Sequence, residues 1–354
     1  MRLIKKLLIS GIVALGGVLS GLVLAPAGAY GQEVLPPVGQ INFFGYKGLD
    51  LHAVEKALPV APGTVLRMEG LETTQHLIEQ RIKSVTGHEP SNIDFVCCDA
   101  NRRLLIYIGL AKSPSQANAV HPPPTGTRKL EPVALDLYDQ DMEALMSAVK
   151  NGNSGEDDSQ GFALSTDPVQ RRVQLAMRAY ALDRGPEFEA VLSDSVEAKQ
   201  RLTAAALLGY ARRSPDQIQA LATAFLDADS EVRNNAVRAL EVLTSAKDAP
   251  RVDVDIRPLA ALLNSGIWSD RNKASLLLDQ ITLGRDPVML QTLRGVAFGA
   301  LVEGASWHGD PGHADAFVIL LGRMADVPED RILLMFRGAG LAKIIAKARN
   351  SHPN

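Results

Sequence analysis

The densest group of metal-capable side chains lies near the C-terminal end, where His308, Asp310 and His313 fall within six residues. Imidazole and carboxylate groups at such short spacing occur in zinc sites. Asp310 directly precedes Pro311, however, and an acidic residue before proline is typical of a helix N-cap. A carboxylate that caps a helix is not free to bind a metal, so we predict no metal site. If a metal did bind, His308 and His313 would be its ligands.

A second group of candidates is basic and recurs at similar places along the C-terminal half. Basic side chains repeated along one face of a helical array can bind an acidic region of a protein partner. Intramolecular ion pairs are the alternative for the same side chains. The residues are Arg201, Arg233, Arg238, Arg271 and Lys273.

The two cysteines are adjacent, at Cys97 and Cys98, near the end of a predicted strand. Strand geometry points neighbouring side chains to opposite faces, so the sequence favours one buried and one surface thiol. A disulfide between the two neighbours, or between chains, is the alternative in an oxidising compartment.

Other chemistry-bearing motifs give no catalytic residue and no cofactor. The sequence contains no G-x-S-x-G, Walker loop, H-E-x-x-H or G-x-G-x-x-G motif. The acidic loop 152–161 carries Glu156, Asp157 and Asp158, but it lacks the alternating ligand spacing of a calcium loop. We predict that this loop is a solvated connector.

Composition bounds the class of protein. The chain has 354 residues, 46% of them hydrophobic and 22% charged, which gives room for two or three domains with a sizeable core. Two cysteines exclude a disulfide-dense scaffold. A net charge of −3 argues against a nucleic-acid binder held by phosphate contacts.

The N-terminal segment has the three parts of a secretory signal peptide. Arg2, Lys5 and Lys6 precede an apolar run, 7–24, and Ala27 and Ala29 form an A-x-A cleavage site. We predict a signal peptide over residues 1–29 and a secreted or periplasmic protein of net charge −6. An uncleaved signal anchor in the inner membrane is the alternative, and only then would the chain contact a membrane.

After a leader, 30–40, residues 41–110 show the pattern of a small α/β module. A strand from Ile41 is followed by helices over 49–58 and 73–85 and by a hairpin of strands 93–98 and 103–110. With Ile41-x-Phe43-x-Gly45, the turn at Gly63 and Thr86-Gly87, this order resembles a POTRA domain. The resemblance implies partner binding by strand addition or in a helix groove. A ferredoxin-like or split α/β sandwich is the alternative.

A proline-rich linker, 111–132, separates this module from a segment, 133–349, that reads as helical throughout; residues 350–354 form a tail. Four capping residues stand directly before proline, at Asp167, Ser214, Asp286 and Asp310. Gln170 and Gln217 lie three residues past their caps, as a capping box requires. These signals predict a series of short helices.

Three of these helices share one pattern. Asp229–Leu240 reads D-x-x-V-R-x-x-A-x-x-A-L and resembles the second helix of a HEAT repeat. Arg201, Arg233 and Arg271 align with one another in the three copies, as do Ala204, Ala236 and Ala274. The resemblance implies an α-solenoid whose second helices line a concave face, which would carry the five basic residues. It also suggests an Asp six residues before each Arg; Asp227 fits, but Ser195 and Ser265 stand at the other two places.

The sequence therefore predicts a multidomain protein: a small POTRA-like α/β module followed by an all-α HEAT-like solenoid. We interpret it as a non-enzymatic exported scaffold or adaptor that binds protein partners in a bacterial cell envelope, without nucleic acid or cofactor. The alternative is an enzyme with a metal-assisted or lyase-type activity on the helical domain, because HEAT-like repeats also occur in phycobilin lyases.

Overall fold

The computed structural model describes residues 34–112, 120–153, 155–246, 254–307 and 311–350. The expected signal peptide with Ala27 and Ala29, the metal candidate His308 and the expected cap Asp310 lie outside these residues. No helix in the described ranges is both long and apolar enough to cross a bilayer.

The N-terminal part is a three-stranded sheet with two helices, in the expected order β-α-α-β-β. The elements are β1 (Val38–Phe44), α1 (Leu51–Ala57), α2 (Leu71–Thr86), β2 (Asn92–Val96) and β3 (Leu104–Gly109). Asp50 caps α1 by accepting hydrogen bonds from the backbone N–H groups of His52 and Ala53. Strand β3 is central; it pairs in parallel with β1 and antiparallel with β2.

Both faces of this sheet are buried, against different partners. On one face, Ile106 and Ile108 pack with Ile78 and Ile82 of α2. On the other face, Leu105 and Tyr107 join the core of the helical part. Since alternate residues of a strand point to opposite faces, the continuous apolar run of β3 reflects this two-sided burial. The sheet is therefore a layer between α1–α2 and the helical array.

The C-terminal part is a two-layer helical array, a repeat solenoid. The helices are α3 (Pro132–Lys150), α4 (Pro168–Ala181), α5 (Gly185–Asp194), α6 (Ala198–Leu208), α7 (Pro215–Thr223), α8 (Ser230–Ser245), α9 (Ile256–Leu262), α10 (Trp268–Ile281), α11 (Pro287–Ala305), α12 (Pro311–Met324), α13 (Glu329–Arg337) and α14 (Leu341–Asn350). A two-stranded hairpin, β4 (Glu156–Asp157) and β5 (Leu164–Ser165), follows α3.

The helices of the array form two rows. Helices α6, α8, α10 and α12 contact one another in order and form what we call the first row; α5, α7, α9 and α11 form the second row.

The capping residues act largely as expected. Asp167 and Asp286 each accept two backbone N–H groups, and Ser214 forms a complete capping box with Gln217. Gln170 differs: its side-chain amide donates to Asp141 on α3 at 3.3 Å and makes no capping box. The aligned alanines Ala204, Ala236 and Ala274 are fully buried in the first row, where small side chains let the helices approach closely.

The described part of the linker, 120–131, lies along the helical array. Val196 donates its N–H to the Gly126 carbonyl at 2.9 Å, and the Leu130 N–H donates to Gln200 Oε1 at 2.8 Å. A Cβ atom at Gly126 would stand 2.1 Å from a carboxylate oxygen of Asp194, so a larger residue here would displace that side chain. The linker thus returns the chain from the sheet, which packs on α10 and α11, to the start of the array.

The structure joins Cys97 and Cys98 in a disulfide, which corrects the expectation of one buried and one surface thiol. Strand β2 ends at Val96, one residue before the pair. The alternation of side chains along a strand therefore does not apply to these two residues.

Candidate functional site

Three of the five basic candidates, all on helices of the first row, form buried ion pairs. Arg201 is 1% exposed, and its Nε and Nη2 donate to the two carboxylate oxygens of Asp227 at 2.7 and 2.9 Å. Its Nη1 donates to the Ser195 carbonyl, six residues earlier, at 2.9 Å. Arg233 repeats this arrangement with Asp270, at 2.9 and 2.7 Å, and with the Asp227 carbonyl at 2.8 Å.

Arg271 makes the third such contact. Its Nε donates to the Ser265 carbonyl at 2.6 Å and its Nη1 to Glu303 at 2.9 Å. Each guanidinium therefore links a carbonyl six residues before it to a carboxylate that follows later in the array. We call Arg201–Asp227, Arg233–Asp270 and Arg271–Glu303 the arginine ladder.

The ladder is continuous, although its carboxylates do not all stand at the same distance in sequence from the arginines. Ser265 stands where the HEAT pattern has Asp, and its hydroxyl donates to Asp270 Oδ2 at 2.6 Å. Asp270 lies next to Arg271 in sequence and so replaces the missing carboxylate. The expectation that Arg201, Arg233 and Arg271 contact a partner on an exposed face is corrected, because these side chains are buried and paired within the chain.

Arg238 is half-buried and surrounded by acidic side chains. It forms ion pairs with Glu156, Asp158 and Glu241. The first two belong to the acidic loop, which the structure folds into the β4–β5 hairpin against α8; this corrects the expected solvated connector. Burial raises the pKa of Asp158 to about 6.

Lys273 on α10 is 3% exposed and lines a cavity. Within the described ranges, it has no hydrogen-bond or ion-pair partner. Burial, with a smaller effect from Arg238, lowers the pKa of its ammonium to about 8. A buried amine without a partner is uncommon, because each N–H donor gives up water on burial.

The cavity has a volume of about 120 Å³ and opens at the first row beside the hairpin. Helices α3 and α4 close one side, and the other residues come from α8, α10, the end of α6 with the two residues after it, and the hairpin. Its polar lining side chains include Tyr138, Asp141, Gln170, Asn234, Arg238 and Lys273.

Asp141 and Glu156 are the two carboxylates that line this cavity, and Asp141 is the one on the helical array. It is 7% exposed and lies one helical turn after Tyr138, on the buried stripe of α3. The Gln170 amide donates to it, and burial raises its pKa to about 7. Asn234 adds an acceptor: its Oδ1 is buried and has no hydrogen-bond partner.

His313, the described member of the metal candidates, lies outside this cavity in an aromatic cluster. Its Nδ1 is 2.5 Å from the Tyr107 hydroxyl, and its ring packs edge-on against Trp268. Burial, with a smaller effect from Lys273, lowers the pKa of His313 to about 3. Across the described ranges, the structure shows no cluster of three His, Cys, Asp or Glu that could hold a metal.

The sequence predicted Lys273 and Arg238 as partner contacts on an exposed face; for Lys273 this is corrected, because its side chain is buried. Asp141, Gln170 and Asn234 were not predicted as site residues. A signal exists for each of them. Asp141 interrupts an otherwise apolar helical stripe, and Asn234 follows the conspicuous Arg233 on a helix whose neighbouring positions are buried. Polar residues on the buried side of a helix mark an internal polar site.

Comparisons with known proteins add little to this picture. No protein-family model matches the sequence, and no curated protein matches it. Among solved structures, the chain is similar to a designed armadillo repeat protein, YIII(Dq)4CqI, at 18% sequence identity and a TM-score of 0.34. The match covers 54% of this chain and 90% of that one. The architecture therefore rests on the helix contacts of this chain itself.

Proposed function

We propose that the protein is a non-enzymatic exported scaffold that holds a protein partner against the first row of its helical array. The arginine ladder is the observation that carries this proposal. Its three buried ion pairs connect α6 to the segment before α8, α8 to α10, and α10 to α11. Buried ion pairs contribute little net stability compared with apolar packing, but they fix one geometry. A surface held in one shape suits recognition of a folded partner.

The solvent-facing side of α8 supplies the surface itself. Glu231, Asn235, Arg238 and Glu241 lie at helical spacing and are the partly exposed positions between buried neighbours. They form a polar stripe along the first row. The second row presents apolar side chains instead, such as Val288, which is 73% exposed.

The cellular setting of the scaffold is part of the same proposal. The basic and apolar pattern of residues 1–29 supports export, and the β-α-α-β-β order supports a POTRA-like module docked on a HEAT-like solenoid. We propose the bacterial periplasm, or the inner-membrane surface if the N-terminal segment is retained, with envelope proteins as partners.

Site-specific photo-crosslinking tests this proposal. A photoreactive residue replaces Glu231 on the first row or, as the matched control, Val288 on the second row of the full exported chain. We expect one envelope protein to crosslink at position 231 and not at position 288. No protein crosslink at 231, or the same products at both positions, contradicts the proposal.

A further inference from the structure

The cavity contains two buried ionisable side chains, Lys273 and Asp141, that form no ion pair within the described residues. At its edge, Arg238 pairs with Glu156, Asp158 and Glu241. These three carboxylates act on the charge of Lys273 from beyond hydrogen-bond distance, and Asp141 is hydrogen-bonded to the neutral amides of Gln170 and Gln174. A buried charged group without a hydrogen-bonded counter-charge is unfavourable, so each position favours a ligand group of opposite charge.

The remaining hydrogen-bond capacity points the same way. An ammonium group has three donors and no acceptor, so Lys273 can donate to the oxygen atoms of a ligand in the cavity. Asn234 donates its Nδ2 to Asn235 Oδ1 at 3.2 Å, which fixes the amide orientation and leaves Oδ1 as an unsatisfied acceptor. Asp141 and Asn234 together can accept the N–H donors of an ammonium group.

Size limits the ligand. The cavity volume is about 120 Å³, and engineered protein cavities of about 150 Å³ hold benzene, a molecule with six heavy atoms. Glycine, alanine and serine have an α-carboxylate and an α-ammonium within a frame of this size. The cavity is partly open, so a short side chain can extend towards solvent.

We propose that this cavity binds a small zwitterionic amino acid, with its carboxylate on Lys273 and its ammonium on Asp141 and Asn234. A ligand with one charge would satisfy one of the two buried groups and leave the other unpaired. Asn235 and Arg238 line this cavity and also belong to the polar stripe proposed above. The ligand contacts assigned here, Lys273, Asp141 and Asn234, are not part of that stripe, so either proposal can fail without the other.

Calorimetric titration of the full exported chain with three probes near pH 7.5 tests the proposal without any variant. L-alanine carries both charged groups, acetate the carboxylate alone and methylamine the ammonium alone. We expect L-alanine to bind at least tenfold more tightly than acetate or methylamine. Absence of L-alanine binding overturns the proposal, and so does acetate or methylamine binding as tightly as L-alanine.

Variants then assign the two ends of the ligand. Lys273→Met should weaken L-alanine binding at least tenfold without weakening methylamine binding, whereas Asp141→Asn should weaken L-alanine binding without weakening acetate binding. Lys343→Met, at an exposed position of α14, is the matched control and should bind like the parent chain. Circular dichroism verifies that each variant is folded. Folded Lys273→Met or Asp141→Asn protein that binds L-alanine as the parent does overturns the assignment.

Discussion

The ring of Tyr107, on the central strand of the sheet, stacks on that of Trp268 at the start of α10, with ring centroids 4.7 Å apart. Trp307 meets the same tyrosine edge-on at 5.1 Å, and its indole N–H donates to the Phe43 carbonyl at 3.2 Å. Both tryptophans of the chain therefore lie at the junction of the sheet and the array. The two parts share one core and are not merely tethered by a linker.

Replacing Trp268 by alanine is expected to loosen this junction. The side chain is fully buried, and large-to-small changes of this kind cost about 3–5 kcal/mol of the free energy of unfolding. Urea titration followed by circular dichroism measures the loss. Leu334→Ala, at a position 63% exposed, is the control and should change the free energy of unfolding by less than about 1 kcal/mol. Equal effects of the two substitutions would contradict a shared core.

The lowered pKa of the buried His313 predicts that the free energy of unfolding decreases in acid. Its pKa is lowered to about 3 in the folded chain, whereas an unperturbed histidine has a pKa of about 6.5. The unfolded state therefore binds more protons between these values, and the free energy of unfolding decreases as pH falls below 6.5. From pH 6.5 to 4.5 the contribution is about 2 kcal/mol.

Comparison of His313→Gln with the parent chain isolates this contribution. The free energy of unfolding of the variant should fall less between pH 6.5 and 4.5 than that of the parent chain. His52→Gln, at an exposed position of α1, should follow the parent profile. Parallel pH profiles for His313→Gln and the parent chain would show that the buried ring does not govern this loss.

The raised pKa of Asp141 predicts the opposite pH dependence of the free energy of unfolding. Its pKa of about 7 in the folded chain is above the ordinary value of 3.8, so the folded state binds more protons between these values. The free energy of unfolding therefore decreases as pH rises from about 4 to 7, by an amount on the order of 4 kcal/mol. Asp141→Asn keeps the shape of the side chain without the charge, and it should be more stable than the parent at pH 8 and close to it at pH 4.

Denaturant titrations at pH 4 and pH 8 measure this difference. Asp136→Asn, at an exposed position of the same helix, is the matched control and should follow the parent chain at both values. A stability gain for Asp141→Asn that is equal at pH 4 and pH 8 would contradict the titration of a buried carboxylate.

The arginine ladder predicts strong coupling between Arg233 and Asp270. Asp270→Asn leaves a buried guanidinium without its counter-charge, which costs about 3–5 kcal/mol. The double variant Arg233→Met/Asp270→Leu removes both charges and should recover much of that loss. Denaturant titration of Arg233→Met, Asp270→Leu and the double variant gives the coupling energy. Additive effects of the two single changes would mean that the pair does not connect α8 to α10.

Local sequence patterns predicted the elements of this fold well, but they could not predict contacts between residues that are far apart in sequence. Caps such as Ser214 and the apolar spacing of α2 depend on neighbours within a few residues. The stack of Tyr107 on Trp268 joins residues far apart in sequence, and nothing local in β3 shows which surface covers its second face. Asp270 likewise takes the place of the carboxylate that the HEAT pattern expects at position 265. The two sequence positions become equivalent only in the folded array.

The charges of the cavity predict a narrow pH range for ligand binding. Asp141 is ionised above its pKa of about 7, and Lys273 is protonated below its pKa of about 8, so both charges are present mainly between these values. The other titratable or charged groups around the two residues are Tyr138, Tyr210, Glu156, Asp158, Arg238, Glu241 and His313. Binding of L-alanine should be tightest near pH 7.5 and roughly tenfold weaker at pH 5.5 and at pH 9.

Asp141→Asn separates the two limbs of this profile. Asparagine does not titrate, so the variant should bind L-alanine weakly but with little change between pH 5.5 and 7.5, while the decrease towards pH 9 remains because Lys273 still loses its proton. Asp136→Asn should keep both limbs. Calorimetric titration of L-alanine at pH 5.5, 7.5 and 9 measures each profile. An acid limb that persists in Asp141→Asn would assign it to another group, and a flat profile in the parent chain would contradict charge pairing at both ends of the ligand.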